Sequence, residues 1–112
     1  MASELTKSSV PVRVVYLGLV PTPTLRGLVE EEAARLGTYE KLIESCELNV
    51  GKWHLHQDAG RLYRVSLEIQ LADGRGELAT TRESEVDAEA DALVVALRDT
   101  FEASLSRLQH TT

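Results

Sequence analysis

Tyr63, Val65, Leu67, Ile69 and Leu71 are apolar, and Arg64, Ser66, Glu68 and Gln70 between them are polar. Strict two-residue alternation of this length dictates a β-strand with one dry face, because only a strand sends successive side chains to opposite sides. A dry face has to be covered, so a second layer is required. The same chain supplies it. Ala90, Leu93, Val94, Leu97, Phe101, Leu105 and Leu108 recur at helical spacing, which predicts a long helix starting near Asp87 with one apolar stripe. Its early acids Asp87, Glu89 and Asp91 suit a helix N-terminus. An earlier helix is expected from Pro23 to Tyr39, with Leu25, Leu28, Val29, Ala33 and Leu36 on its apolar stripe. Thr22 offers a hydroxyl cap there, and Pro23 takes the first helical position, where its missing N–H costs nothing.

The remaining strands complete the order. Residues 11–17 are apolar at both parities and form the first strand; Gly18 and Pro21 end it. Cys46, Leu48 and Val50 share one parity of a half-buried strand, and a bulge at Gly51 would shift Trp53 and Leu55 to the other. Gln57 to Gly60 and Asp73-Gly74 are the turns on either side of the alternating strand, and a last strand follows near residues 77–82. The predicted fold is α+β, in the order β-α-β-β-β-α. It is a two-layer sandwich: a four-stranded mixed sheet with both helices on one face. The first two strands are parallel, joined by a right-handed crossover, and the other pairs are antiparallel. With 112 residues the chain has room for one core. Residues 1–10 are expected to be a flexible tail, 11–108 the domain, and 109–112 a frayed end.

Charge and composition exclude several classes of function. Twelve Lys and Arg against eighteen Asp and Glu give a net charge of -6, so the whole surface repels a phosphate backbone unless cations are segregated. The longest apolar run, Val14 to Val20, is too short to cross a bilayer, so no membrane partner is expected. The first seven residues lack the apolar core of a secretory signal, and the single Cys46 cannot form an intrachain disulfide, which points to the cytoplasm. No nucleophile elbow or phosphate-cradling glycine loop is present, so no catalytic residue, cofactor or small-molecule substrate is assigned. Cys46 sits at an inward position and is read as a small buried hydrophobe. His54 and His56 would lie about 7 Å apart along a strand, with Cys46 or Asp58 as a third ligand; zinc takes three or four, and no metal is expected.

The densest basic group is Lys52, His54, His56, Arg61 and Arg64, opposed by Asp58. With Trp53 and Tyr63 beside it, the group has the parts to grip a nucleic-acid backbone and stack a base; equally, long cationic side chains solvate an exposed sheet edge while the aromatics pack inward.

Several segments resemble the family of hibernation-promoting factors and ribosome-associated inhibitors, in its short single-domain form. They are Val20-Pro-Thr-Pro-Thr-Leu25, Leu36-Gly-Thr-Tyr-Glu-Lys-Leu-Ile43, the hairpin from Trp53 to Leu67, Gly76-Glu-Leu78, Thr81-Arg-Glu83 and Ala96-Leu-Arg-Asp-Thr-Phe101. The resemblance spans most of residues 11–108. It implies a fold similar to double-stranded-RNA-binding domains and a non-catalytic stress or stationary-phase protein. Such a protein would bind the small ribosomal subunit, through ribosomal RNA, where mRNA and tRNA sit. It adds Arg26, Lys41 and Arg82 to the hairpin group as expected RNA contacts. One departure is electrostatic: residues 85–108 hold six acids against Arg98 and Arg107. The alternative is an acidic protein-interaction module of the same fold, or a homodimer paired through an exposed strand edge.

Overall fold

The computed structural model describes residues 2–54, 61–84 and 89–111, with side chains for all of these except 2, 53, 54, 61 and 89–91. Five strands form one sheet in the order β1-β2-β3-β4-β5, with β2 and β3 parallel and the other pairs antiparallel. The strands are β1 (Ala2–Leu5), β2 (Val12–Leu17), β3 (Ile43–His54), β4 (Arg61–Leu71) and β5 (Glu77–Ser84). Two helices, α1 (Pro23–Ala34) and α2 (Glu89–Gln109), pack on the sheet. The α+β sandwich expected from the sequence is therefore present, with one strand more than expected.

Tyr63, Val65, Leu67 and Ile69 of β4 are wholly buried, as their alternation requires. The apolar stripe of α2 lies over them: Leu93, Leu97, Phe101 and Leu108 are buried, while Val94 and Leu105 are half-buried. A second column, Ala92, Ala96, Thr100 and Ser104, is buried as well. Four-residue spacing puts these small side chains on one face of the helix. Thr100 Oγ1 accordingly donates to the carbonyl of Ala96 at 2.7 Å and lies 3.4 Å from that of Val65 on β4.

Helix α1 starts where the cap signal placed it. Thr22 Oγ1 accepts from the Leu25 N–H at 3.1 Å, with Pro23 following the cap. Its α-helical part ends at Ala34, short of the expected Tyr39, and the chain continues as a 3₁₀ segment over Arg35–Leu42. Gly37 is a weak helix former and favours this change, and its lack of a side chain makes room for Ser9, since a Cβ there would stand 2.8 Å from Ser9 Oγ.

Three expectations are corrected. Of the expected flexible tail, residues 1–10, the described residues 2–10 are held in the fold. Ala2–Leu5 pair with Tyr16 to Arg13 as an edge strand, and the Thr6 N–H donates to the Val12 carbonyl at 2.9 Å. The Val12 N–H returns a bond to Thr6 Oγ1 at 2.8 Å, and Val10 is buried. Second, there is no bulge at Gly51. Pairing of β3 with β4 runs unbroken from Ser45↔Gln70 to His54↔Arg61, and the register shift lies between Ile43 and Ser45. Gly51 is flanked in register by Leu17 and Arg64 and needs no extra residue to fit. Third, the sheet has five strands, not four, because of β1. The expected turn at residues 57–60, the start of the second helix near Asp87, and Leu55, His56 and Asp58 lie outside the described residues.

Candidate nucleic-acid interface

The sheet gathers five of the eight nominated cationic positions at one end. Lys52 pairs with Tyr63, His54 with Arg61, and Arg64 with both Gly51 and Glu83, while Arg82 faces Val65. Backbone hydrogen bonding thus fixes Lys52, His54, Arg61, Arg64 and Arg82 within the last rungs of β3, β4 and β5. The other two described positions lie elsewhere. Arg26 stands on α1 against β1, and Lys41 closes the 3₁₀ segment that leads into β3 at the opposite end of the sheet. His56, and the side chains of His54 and Arg61, lie outside the described set. The end where β2 meets β3 is shaped by Gly18, whose φ of +72° and tight fit leave no room for a side chain: a Cβ would come 2.6 Å from the Lys52 carbonyl oxygen.

These cations do not share one face. Pairing alternates side chains, so Arg64 projects on the uncovered face of the sheet, opposite to the buried Tyr63 and Val65. Lys52, half-buried, and Arg82, exposed, have the parity of the helix-bearing face.

Local acids offset much of the positive charge. Arg26 Nη2 lies 2.7 Å from a Glu4 carboxylate oxygen, and Arg64 Nε donates to Glu83 at 3.0 Å. Arg13 faces Glu47 at 3.7 Å, and Arg35 joins α1 to α2 by holding both Glu32 and Glu102. The hydrogen bond that Arg26 donates to Glu4 holds it even more firmly in its charged form, and those that Arg35 donates to Glu102 and then Glu32 do the same for Arg35. Exposed pairs of this kind contribute little to stability. Their larger effect is on the field: an arginine bridged to a glutamate presents little net charge to an approaching phosphate.

Two described groups besides these arginines have displaced pKa values. Burial pushes the Cys46 thiol up to about 12, far from a reactive thiolate. The Tyr16 phenol is also pushed up to about 12, first by burial and then by the Glu4 carboxylate. Among the described residues no group of three His, Cys, Asp or Glu side chains is placed to hold a metal ion. An apolar groove of ≈ 340 Å³ opens between the start of α1 and α2, lined in part by Leu19, Leu25, Leu28 and Leu93, with no ionisable group among its lining residues. No described helix is long and apolar enough to cross a membrane.

Sequence reasoning assigned no contact to Arg107 or Arg35. Arg107 reaches from α2 to β5, and Arg35 bridges the helices; both contacts join residues 28 or more apart, and no local pattern announces them.

No protein-family model matches the chain, and a search of curated proteins finds none similar in sequence. A solved structure does match in shape. The ribosomal subunit interface protein from Coxiella burnetii superposes with a TM-score of 0.61, covering 88% of this chain and 94% of its own, at 13% sequence identity. The two proteins share a fold. Coverage is nearly complete on both sides, so the likeness concerns the whole domain and not a shared hairpin or helix pair.

Proposed function

We propose that this protein is a ribosome-associated factor that binds the small ribosomal subunit at the mRNA and tRNA positions and silences idle ribosomes under stress or in stationary phase. The observation that carries the reading is the whole-domain match to a ribosomal subunit interface protein. The sequence segments that resemble the hibernation family point the same way. The mode of action is occupancy without catalysis, and the partner is ribosomal RNA, met by Lys52, His54, His56, Arg61, Arg64 and Arg82 at the hairpin end, with Arg26 and Lys41 as outlying contacts. Because the chain is acidic overall, binding rests on segregated cations and weakens with salt, the slope growing by roughly 0.7–0.9 for each phosphate contact.

A second reading is favoured by one observation: Arg13, Arg26, Arg35 and Arg64 are all tied to glutamates, which leaves an acidic surface fit for a basic protein. Sedimentation of a lysate from starved cells through sucrose separates the two. A ribosome ligand travels with small-subunit or whole-ribosome fractions. A protein-only adaptor stays at the top of the gradient, and that result would remove the ribosome reading.

A further inference from the structure

An edge strand presents unpaired N–H and C=O groups on which another chain can build, and this sheet has two such edges. β1 has four residues. β5 has eight, and its pairing with β4 runs without a bulge from Gln70↔Glu77 to Tyr63↔Ser84. Its centre, Leu78-Ala79-Thr80-Thr81, carries no charge and no proline. By length and composition β5 is the more adhesive edge.

Two guanidinium groups sit on it. Arg107, in the last turn of α2, donates Nη1 to the Ala79 carbonyl at 2.6 Å and reaches Thr80 Oγ1 at 3.4 Å. Arg82 donates Nη1 to the Thr81 carbonyl at 3.0 Å. Carbonyls along an antiparallel strand turn alternately to its two sides, so those of Ala79 and Thr81 face the same way. Both accept guanidinium N–H groups because both point away from β4. Neither arginine forms an ion pair among the described residues, in contrast to Arg13, Arg26, Arg35 and Arg64.

We propose that Arg82 and Arg107 close the β5 edge against strand pairing with a second copy of this chain. The second copy is the occupant to guard against because β5 is self-complementary. A twofold antiparallel pairing centred on Thr81 sets Thr81 against itself, Thr80 against Arg82, Ala79 against Glu83 and Leu78 against Ser84, and none of these central pairs opposes like charges. That pairing needs the outward carbonyls of Ala79 and Thr81, the same two that the arginines hold. The guard is a direct competitor for the acceptors, and it is contributed partly by another element, α2, whose correct docking is therefore required to seal the edge.

The test is sedimentation velocity over a concentration series, with circular dichroism as a check of fold. The parent is expected to sediment as a monomer throughout. The double variant R82A/R107A is expected to form a concentration-dependent dimer, with an association constant raised at least tenfold. Adding Ala79→Pro to that variant restores the monomer, because the Ala79 N–H points outward with its carbonyl and its loss leaves the β4 ladder whole. R107K, which keeps a donor for the Ala79 carbonyl, stays monomeric. R82A alone leaves the α2 contact in place and gives a smaller shift of the same sign, so the proposal is testable even if the double variant does not fold. The proposal is overturned if R82A and the double variant remain monomeric, if Ala79→Pro fails to reverse the dimer, or if the parent already dimerises and Ala79→Pro abolishes it.

Discussion

The half of the sheet beneath α2 and the half beside α1 are held in different ways. Under α2, Leu93, Leu97, Phe101 and Leu108 press onto Tyr63, Val65, Leu67 and Ile69, so a continuous apolar layer does the holding. At the other edge β1 is fastened largely by polar contacts. Its Glu4 meets Arg26 of α1; beyond its end the Lys7 N–H donates to the Glu30 carboxylate at 2.9 and 3.1 Å, and Thr6 exchanges hydrogen bonds with Val12. Apolar burial is non-directional and scales with area, whereas a polar fastening depends on a few atoms placed within tenths of an ångström. The two halves should therefore respond to substitution by different amounts and for different reasons.

The largest effect belongs to the α2 half. Phe101 is wholly buried, and Phe101→Ala should cost about 3–5 kcal/mol by lost transfer energy and the cavity left behind. Urea melts that show a loss below ~1 kcal/mol would mean that the apolar layer is not what holds this half.

On the β1 side, Thr6→Val keeps the shape and removes the oxygen that accepts the Val12 N–H, a contact in buried surroundings. The stranded donor should cost about 1–3 kcal/mol. Hydrogen exchange sharpens the comparison: amides of β1 and the start of β2 should lose protection in this variant while those of β4 keep theirs. Uniform loss across the sheet would erase the distinction between the halves.

The smallest effect is a pH dependence. Tyr16 lies under the β1 edge with its phenol pushed up to about 12, above the value of 10.0 it takes in the unfolded chain. The unfolded state thus releases its proton first, so the contribution is fully present below pH 10.0 and is lost as pH rises toward about 12. Between pH 10 and 11 this single group should lower stability by about 1 kcal/mol. Tyr16→Phe should flatten that part of the profile in alkaline melts, and an unchanged profile would show that the phenol is not held neutral by its surroundings.

The same contrast explains what the sequence made legible. The alternation from Tyr63 to Leu71, the stripe from Leu93 to Leu108 and the Thr22-Pro23 start of α1 are local patterns whose period equals that of the structure they form, and each is found where expected. β1 is four residues without such a period and owes its place to pairing with β2 and to Arg26 of α1, 22 residues from Glu4, so it reads as a tail. The grouping of Lys52, Arg64 and Arg82 at one end follows from the hairpin order and was legible in part. Their division between two faces was not, because the expected bulge at Gly51 would have turned the end of β3 over. The ion pairs that offset Arg26 and Arg64 are side-chain matters between separate elements and leave no trace in local spacing.

The proposed contact between the hairpin-end cations and ribosomal RNA can be read from the salt dependence of binding to purified small ribosomal subunits. Log affinity should fall linearly with log salt, and replacing Lys52, Arg61 and Arg64 together with Gln should flatten the slope by about 2 units, each lost phosphate contact contributing roughly 0.7–0.9. Glutamine removes the charges without setting a new acid against Glu83, so the fold should be kept, as circular dichroism can verify. A triple variant that is folded and binds with the slope of the parent would move the RNA contact away from the hairpin. A parent that shows no salt-sensitive binding to small subunits would rule out the proposed contact.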